Sequence, residues 1–178
     1  FHVWSLLKQS GVDRKGVLVL KGKKLTSEFM RAEINKTLLE HDCSGFGTIV
    51  ACGAQAADPH EVGTGPLYAG QGIVVDIFPK HQVHGYWGDM TRTFVKGRAS
   101  PEFRKMYYAV KAASEKALSL LKSGIAVSTI HNACVGEFEK RGYKTGDGEG
   151  FIHSTGHGVG LNVHEAPSIG PSSKRLRV

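Results

Sequence analysis

The sequence predicts a mixed fold of helices and short strands in one domain, and three observations carry that reading. Phe103, Met106, Tyr107, Val110, Ala117 and Leu121 recur at steps of three and four, the period of an amphipathic helix. Thr48–Cys52 (TIVAC) and the opening of the Ile73–Lys96 stretch (IVVDI) are short, apolar and β-branched, the signature of strands. Glycines then crowd residues 146–160 around histidines, a composition that places side chains rather than packing them.

Taken in order, Val3, Leu6 and Leu7 keep helical spacing and stop before Gly11, so residues 1–16 read as a lead-in helix and residues 17–178 as the body of the domain. Gly16–Leu20 is a strand candidate ahead of the basic turn Lys21–Lys24. Thr26 caps a helix running to about His41, with Met30, Ile34 and Leu38 on one face and Glu28 in the first turn. After TIVAC, residues 53–66 form a Gly- and Pro-rich loop carrying His60. Ser100 and Pro101 start the long helix, whose Met and aromatic positions are expected in the core, and Gly124 ends it. Ser128 is expected to cap a further helix presenting Ile130, Cys134 and Phe138, with Gly142 as its stop.

Bulk composition excludes several classes. At 178 residues and 40% apolar content the chain can bury a core without disulfides, and no apolar run approaches the ~18 residues of a membrane helix. Three widely spaced cysteines without a CxxC pair indicate neither a disulfide framework nor a zinc ribbon, so a reducing, cytoplasmic compartment fits. The net charge of +7 comes from scattered Lys and Arg, grouped only at Lys21–Lys24 and Lys174–Arg177, and reads as solvated surface rather than a nucleic-acid site.

The chemistry concentrates on Asp76, Asp89 and His157. Asp76 ends one strand and Asp89 leads into the next, so rigid elements hold both carboxylates. Oxygen ligands with one imidazole suit Mn²⁺, Fe²⁺, Co²⁺ or Zn²⁺, and such a cation lowers the pKa of water and polarises a carbonyl. His60, His153 and His164 stand on Gly-rich loops as candidates for carbonyl binding and proton transfer. In a strand His153 and His157 share a face, whereas His164 has opposite parity and needs the bend that Gly158 and Gly160 supply. His81 and His84 are expected in solvent, and His2, His41 and His131 lie in helical segments with no partner pattern.

Together GYWGDMTRTF after a strand-end Asp, the Pro59-His60 loop upstream and HSTGHGVGLNVHEAP downstream resemble the creatinase/aminopeptidase metallopeptidases, most of all the Xaa-Pro aminopeptidases and prolidases. The resemblance spans about Thr26 to Pro167. It implies an α+β "pita-bread" fold, a curved antiparallel sheet with flanking helices, holding two divalent metals, often manganese, bridged by hydroxide. It implies that Asp76 binds one metal, Asp89 bridges both and His157 completes the set, while His60, His153 and His164 face the substrate. A His four residues before the metal His favours a peptide substrate with proline second, whose nitrogen carries no N–H.

Two departures shape the expectation. The step from Asp76 to Asp89 is thirteen residues, longer than the family pattern, with Phe78 and Pro79 where that pattern has glycine. The family's last two ligands are glutamates expected beyond Val178, so the last strands are expected to be missing and this chain to hold no metal tightly and to be inactive. An exposed sheet edge would then favour self-association, a homodimer included. Two other readings share the fold: a non-catalytic module binding peptide, histone or RNA, and a methionine aminopeptidase.

Overall fold

The computed structural model describes residues 2–146, 148–172 and 174–176. Phe1 and Val178, the outer limits of the expected lead-in and body, lie outside the described residues, as does Arg177 of the second basic group. The chain divides into two compact units, Phe1–Ser100 with Gly160–Val163, and Pro101–Val159 with His164–Val178.

In the first unit, helix α1 (His2–Gln9) buries Leu7 and sets Val3 and Leu6 against the core, as its spacing predicts. Strands β1 (Gly11–Val12), β2 (Leu18–Leu20) and β3 (Lys23–Lys24) form an antiparallel meander, and the Asp13 carboxylate ties its first turn by accepting from the Lys15 and Val17 N–H groups. Helix α2 (Ser27–Leu39) starts where Thr26 accepts the Phe29 N–H at 3.2 Å, and it turns Met30 and Ile34 inward. Strand β4 (Cys43–Gly45) follows, then β5 (Ile49–Cys52), whose four residues are all buried. The loop expected after it begins with a 3₁₀ turn over Gly53–Ala57.

Two further pairings make the frame for the carboxylates. Strand β6 (Gly72–Ile77) lies between β5 and, after β7 (Pro79–His81), strand β8 (Met90–Val95), all antiparallel, while β7 pairs with β4. Ile73 and Val75 of β6 enter the core with Val50, Leu18, Leu25, Leu67 and Met30. That buried set pins the register, because a one-residue slip would turn Asp76 inward and Val75 outward.

The second unit holds helices α3 (Pro101–Leu120) and α4 (Val127–Glu139) and two hairpins, β9 (Thr145–Gly146) with β10 (Glu149–Gly150) and β11 (Gly156–Gly158) with β12 (Glu165–Ile169). Its core joins Ala113, Ala117, Val127, Ile130, Cys134, Ile169 and Leu176. Two expectations are corrected here. Helix α3 buries its alanines, Ala109, Ala113 and Ala117, and leaves Met106, Tyr107 and Val110 exposed, as is Leu121 just past its end, because alanine at four-residue steps lets α4 approach closely. Helix α4 begins one residue before Ser128, with Ala126 as its N-cap and no side-chain cap bond. Gly142 does stop it, at φ +79°.

Candidate functional site

The strand register places the two carboxylates. Asp76 lies directly opposite Thr91 across β6 and β8, and the Thr91 hydroxyl donates to Asp76 Oδ1. Asp89 stands two residues before Thr91, so in extended backbone it shares the face of Thr91 and Asp76. Asp76 is half-buried and Asp89 exposed. Sequence reasoning missed Thr91; the signal was its parity with Asp89 in MTRTF.

His60 stands almost wholly in solvent in its loop. Its N–H donates to Asp58 Oδ1 at 2.8 Å, and that local turn, not packing, fixes its backbone.

In the second unit the histidines are held from the backbone outward. His153 Nδ1 lies 2.7 Å from the Ser154 carbonyl and His157 Nδ1 3.0 Å from the Gly158 carbonyl. A carbonyl only accepts, so in both rings Nδ1 carries the proton and Nε2 is the basic nitrogen, the one that serves a metal or a substrate. His157 and His164 pack edge to face with centroids 4.3 Å apart, so the bend expected before His164 is made. Strand β11 itself covers only Gly156–Gly158 and its register shifts after His157, so His153 lies outside it and the shared-strand-face reading for the pair does not hold. Gly158 is required at that shift, because a Cβ there would stand 2.5 Å from the Ala166 carbonyl oxygen.

Helix α4 adds a further histidine to this segment. His131 of α4, read as lacking a partner pattern, places Nδ1 3.0 Å from Thr155 Oγ1 and stacks 5.4 Å from Phe151. Burial, with the neighbouring His153 imidazole adding to it, holds His131 below the usual histidine range. A cleft of about 380 Å³ opens beside it, with His153, Phe151, Ser154 and Ser168 in its walls. In the first unit His81 is half-buried and stacks on His84 at 4.6 Å, while His84 is exposed as expected.

Each unit carries donors of a kind that suits a divalent cation: the first the Asp76 carboxylate, oriented by the Thr91 hydroxyl, and the second the His157 imidazole, whose basic nitrogen is set by its backbone bond. Among the described residues no three His, Cys, Asp or Glu side chains gather closely enough to hold a metal ion. No helix is long and apolar enough to cross a membrane.

Comparison with known proteins gives a consistent result. Over 152 residues the chain is 32% identical to a Xaa-Pro dipeptidase of Pyrococcus horikoshii, covering 85% of this chain and 42% of that protein. Among solved structures it superposes on an X-Pro aminopeptidase from Thermotoga maritima with a TM-score of 0.79 at 28% identity, over 98% of this chain and 46% of the other. The prolidase of Pyrococcus furiosus gives 0.80 at 26%, over 98% and 48%. The chain thus spans less than half the length of these relatives, and its mixed architecture is that of the pita-bread fold. Residues 14–178 match the model of metallopeptidase family M24, and the chain belongs to that family.

Proposed function

We propose that this protein hydrolyses the Xaa-Pro bond at peptide N-termini or in dipeptides, with Asp76, Asp89 and His157 as metal ligands. The observation that carries it is the set of histidines on the Gly-rich segment. His153 stands four residues before His157, as in the prolyl enzymes, and both have Nε2 as the basic nitrogen. The Xaa-Pro relatives support the substrate class. Two divalent cations, manganese first among them, are proposed from the family resemblance. When bound, they lower the pKa of water and polarise the scissile carbonyl.

The chain's own residues would then divide the work. His164, packed against His157, and His153, tied to Ser154, are proposed to hydrogen-bond the scissile carbonyl and the tetrahedral oxyanion. His60, on its solvent-facing loop, is proposed to reach the substrate as it binds and to move a proton. Thr91 keeps the Asp76 carboxylate turned for its ligand. A proline ring at the second position brings no N–H, so its pocket needs no acceptor there.

The test is an assay of the intact gene product on Xaa-Pro and Met-Xaa peptides, with and without manganese. Metal-dependent cleavage restricted to proline substrates is expected. Cleavage of Met-Xaa peptides, or none of either, would sink the proposal.

A further inference from the structure

The strand that carries His157 is poorly fixed by its own ladder. Strand β11 has three residues, it pairs among the described residues with β12 alone, and the register slips between His157 and Gly158. A two-stranded hairpin with a bulge is marginal in water, and the bulge frees the local backbone direction. Yet a ligand or catalytic imidazole must be held within about half an ångström of its working position. Something outside the hairpin has to supply the constraint.

Helix α4 supplies it at two points on residues 151–155. Phe138 and His131 pack against Phe151 at 5.2 and 5.4 Å, and Phe151 in turn meets the His153 ring edge at 4.9 Å. Two residues before His157, Thr155 places its hydroxyl 3.0 Å from His131 Nδ1, and its N–H donates to the Ile169 carbonyl at 2.7 Å. One helical turn on, the buried Cys134 thiol donates to the Ala113 carbonyl at 3.4 Å. His131 otherwise sits on an apolar helix face with Val127, Ile130 and Cys134, a place where a polar ring costs stability unless it is bonded.

We infer that His131 is a positioning residue for the His153–His157 segment, acting through the Thr155 hydroxyl. The inference rests on the reading that assigns His153 and His157 to the site. It gives α4 a part in catalysis although none of its side chains is proposed to touch substrate. Asparagine can replace His131 in this role, since an Asn side-chain amide reaches the position of Nδ1. Leucine fills the same space without the bond.

Two measurements test this separately from the activity itself. In the full chain, His131→Leu and Thr155→Val are each expected to speed amide exchange at Gly156 and His157 about five- to tenfold, the loss of one hydrogen bond, and to shift the His153 and His157 imidazole signals. His131→Asn and Thr155→Ser are expected to restore both. In the intact gene product His131→Leu is expected to lower kcat about tenfold with KM little changed, and His131→Asn to recover most of it. Unchanged exchange and imidazole signals in both His131→Leu and Thr155→Val overturn the inference. If His131→Leu unfolds the second unit, the Thr155→Val and Thr155→Ser pair decides it. An intact gene product without Xaa-Pro cleavage removes the proposed function but leaves the exchange result to stand or fall alone.

Discussion

Asp76 is oriented by a neighbour that titrates nowhere near neutrality. The Thr91 hydroxyl donates to one carboxylate oxygen, which leaves the other lone pairs directed along the open sheet face. Thr91→Val keeps the shape and the β-propensity and removes the donor, so manganese affinity of the intact gene product is expected to fall about tenfold with the fold retained, read by titration calorimetry. Unaltered affinity would separate Thr91 from the metal site. A second residue-level consequence concerns acid. Because burial and His153 lower the folded-state value of His131 below the ordinary 6.5, the unfolded chain binds a proton more readily than the folded one. Stability from this group is present above about that value and is lost as pH falls toward the folded-state one. Glu28 behaves in the same direction but in a lower window, its carboxylate held down first by the Gly65 backbone N–H and then by its own backbone, the Thr26 side chain and Arg31. Its contribution is present above 4.5 and fades only below it. Thermal unfolding followed from pH 7.5 to 5.5 is therefore expected to show a fall in Tm that His131→Asn flattens and Glu28→Gln does not.

At the scale of elements, local signals were read correctly wherever one local force decides. Thr26 caps α2 as its hydroxyl and position predict, and Thr26→Ala is expected to cost about 1 kcal/mol in denaturant unfolding. Gly63 is a harder constraint: its φ is +83° and a Cβ would stand 1.9 Å from the Val50 carbonyl oxygen. Gly63→Ala is expected to cost about 3 kcal/mol, more than the cap, by combining a left-handed backbone with a clash against β5. The β-branched runs became β5 and β6 because their apolar content had only the core to enter. Helix α3 was legible as a helix but not as to its buried face. Its alanines and its large apolar side chains occupy adjoining stripes, and a hydrophobicity pattern ranks the large ones first, whereas close helix packing selects the small ones. Ser128 differs from its expected place as a cap for a related reason, since a capping residue type cannot announce that the backbone has already turned helical one residue earlier. The Thr91–Asp76 and His131–Thr155 bonds depend on register and on contacts 15 and 24 residues apart in sequence, which periodicity does not encode.

Across the whole molecule the most informative surface is that adjoining stripe on α3. At 100° per residue, Val110, Tyr107 and Leu118 fall on one arc beside Ala109, Ala113 and Ala117, with Met106 at the alanine edge and Leu121 just past the helix end, so the helix presents an apolar face about twice as wide as the part it buries. Lys111, Glu115 and Arg104 bound that arc on its far side. Leu118 is 66% and Met106 44% exposed, values at which a side chain contributes little burial energy to folding. A contiguous patch of this kind binds apolar probes in a native chain, whereas scattered exposed leucines do not. Replacing both Leu118 and Leu121 with lysine is therefore expected to reduce fluorescence enhancement of a hydrophobic dye by about half while shifting stability by no more than about 0.5 kcal/mol. Ala113→Lys, one turn away on the buried stripe, is expected to unfold the second unit, because its charge would enter the core formed with Val127, Ile130 and Cys134. If the double lysine variant loses stability as Ala113→Lys does, the exposed stripe is structural, and the division of α3 into a buried alanine face and an open apolar face is wrong.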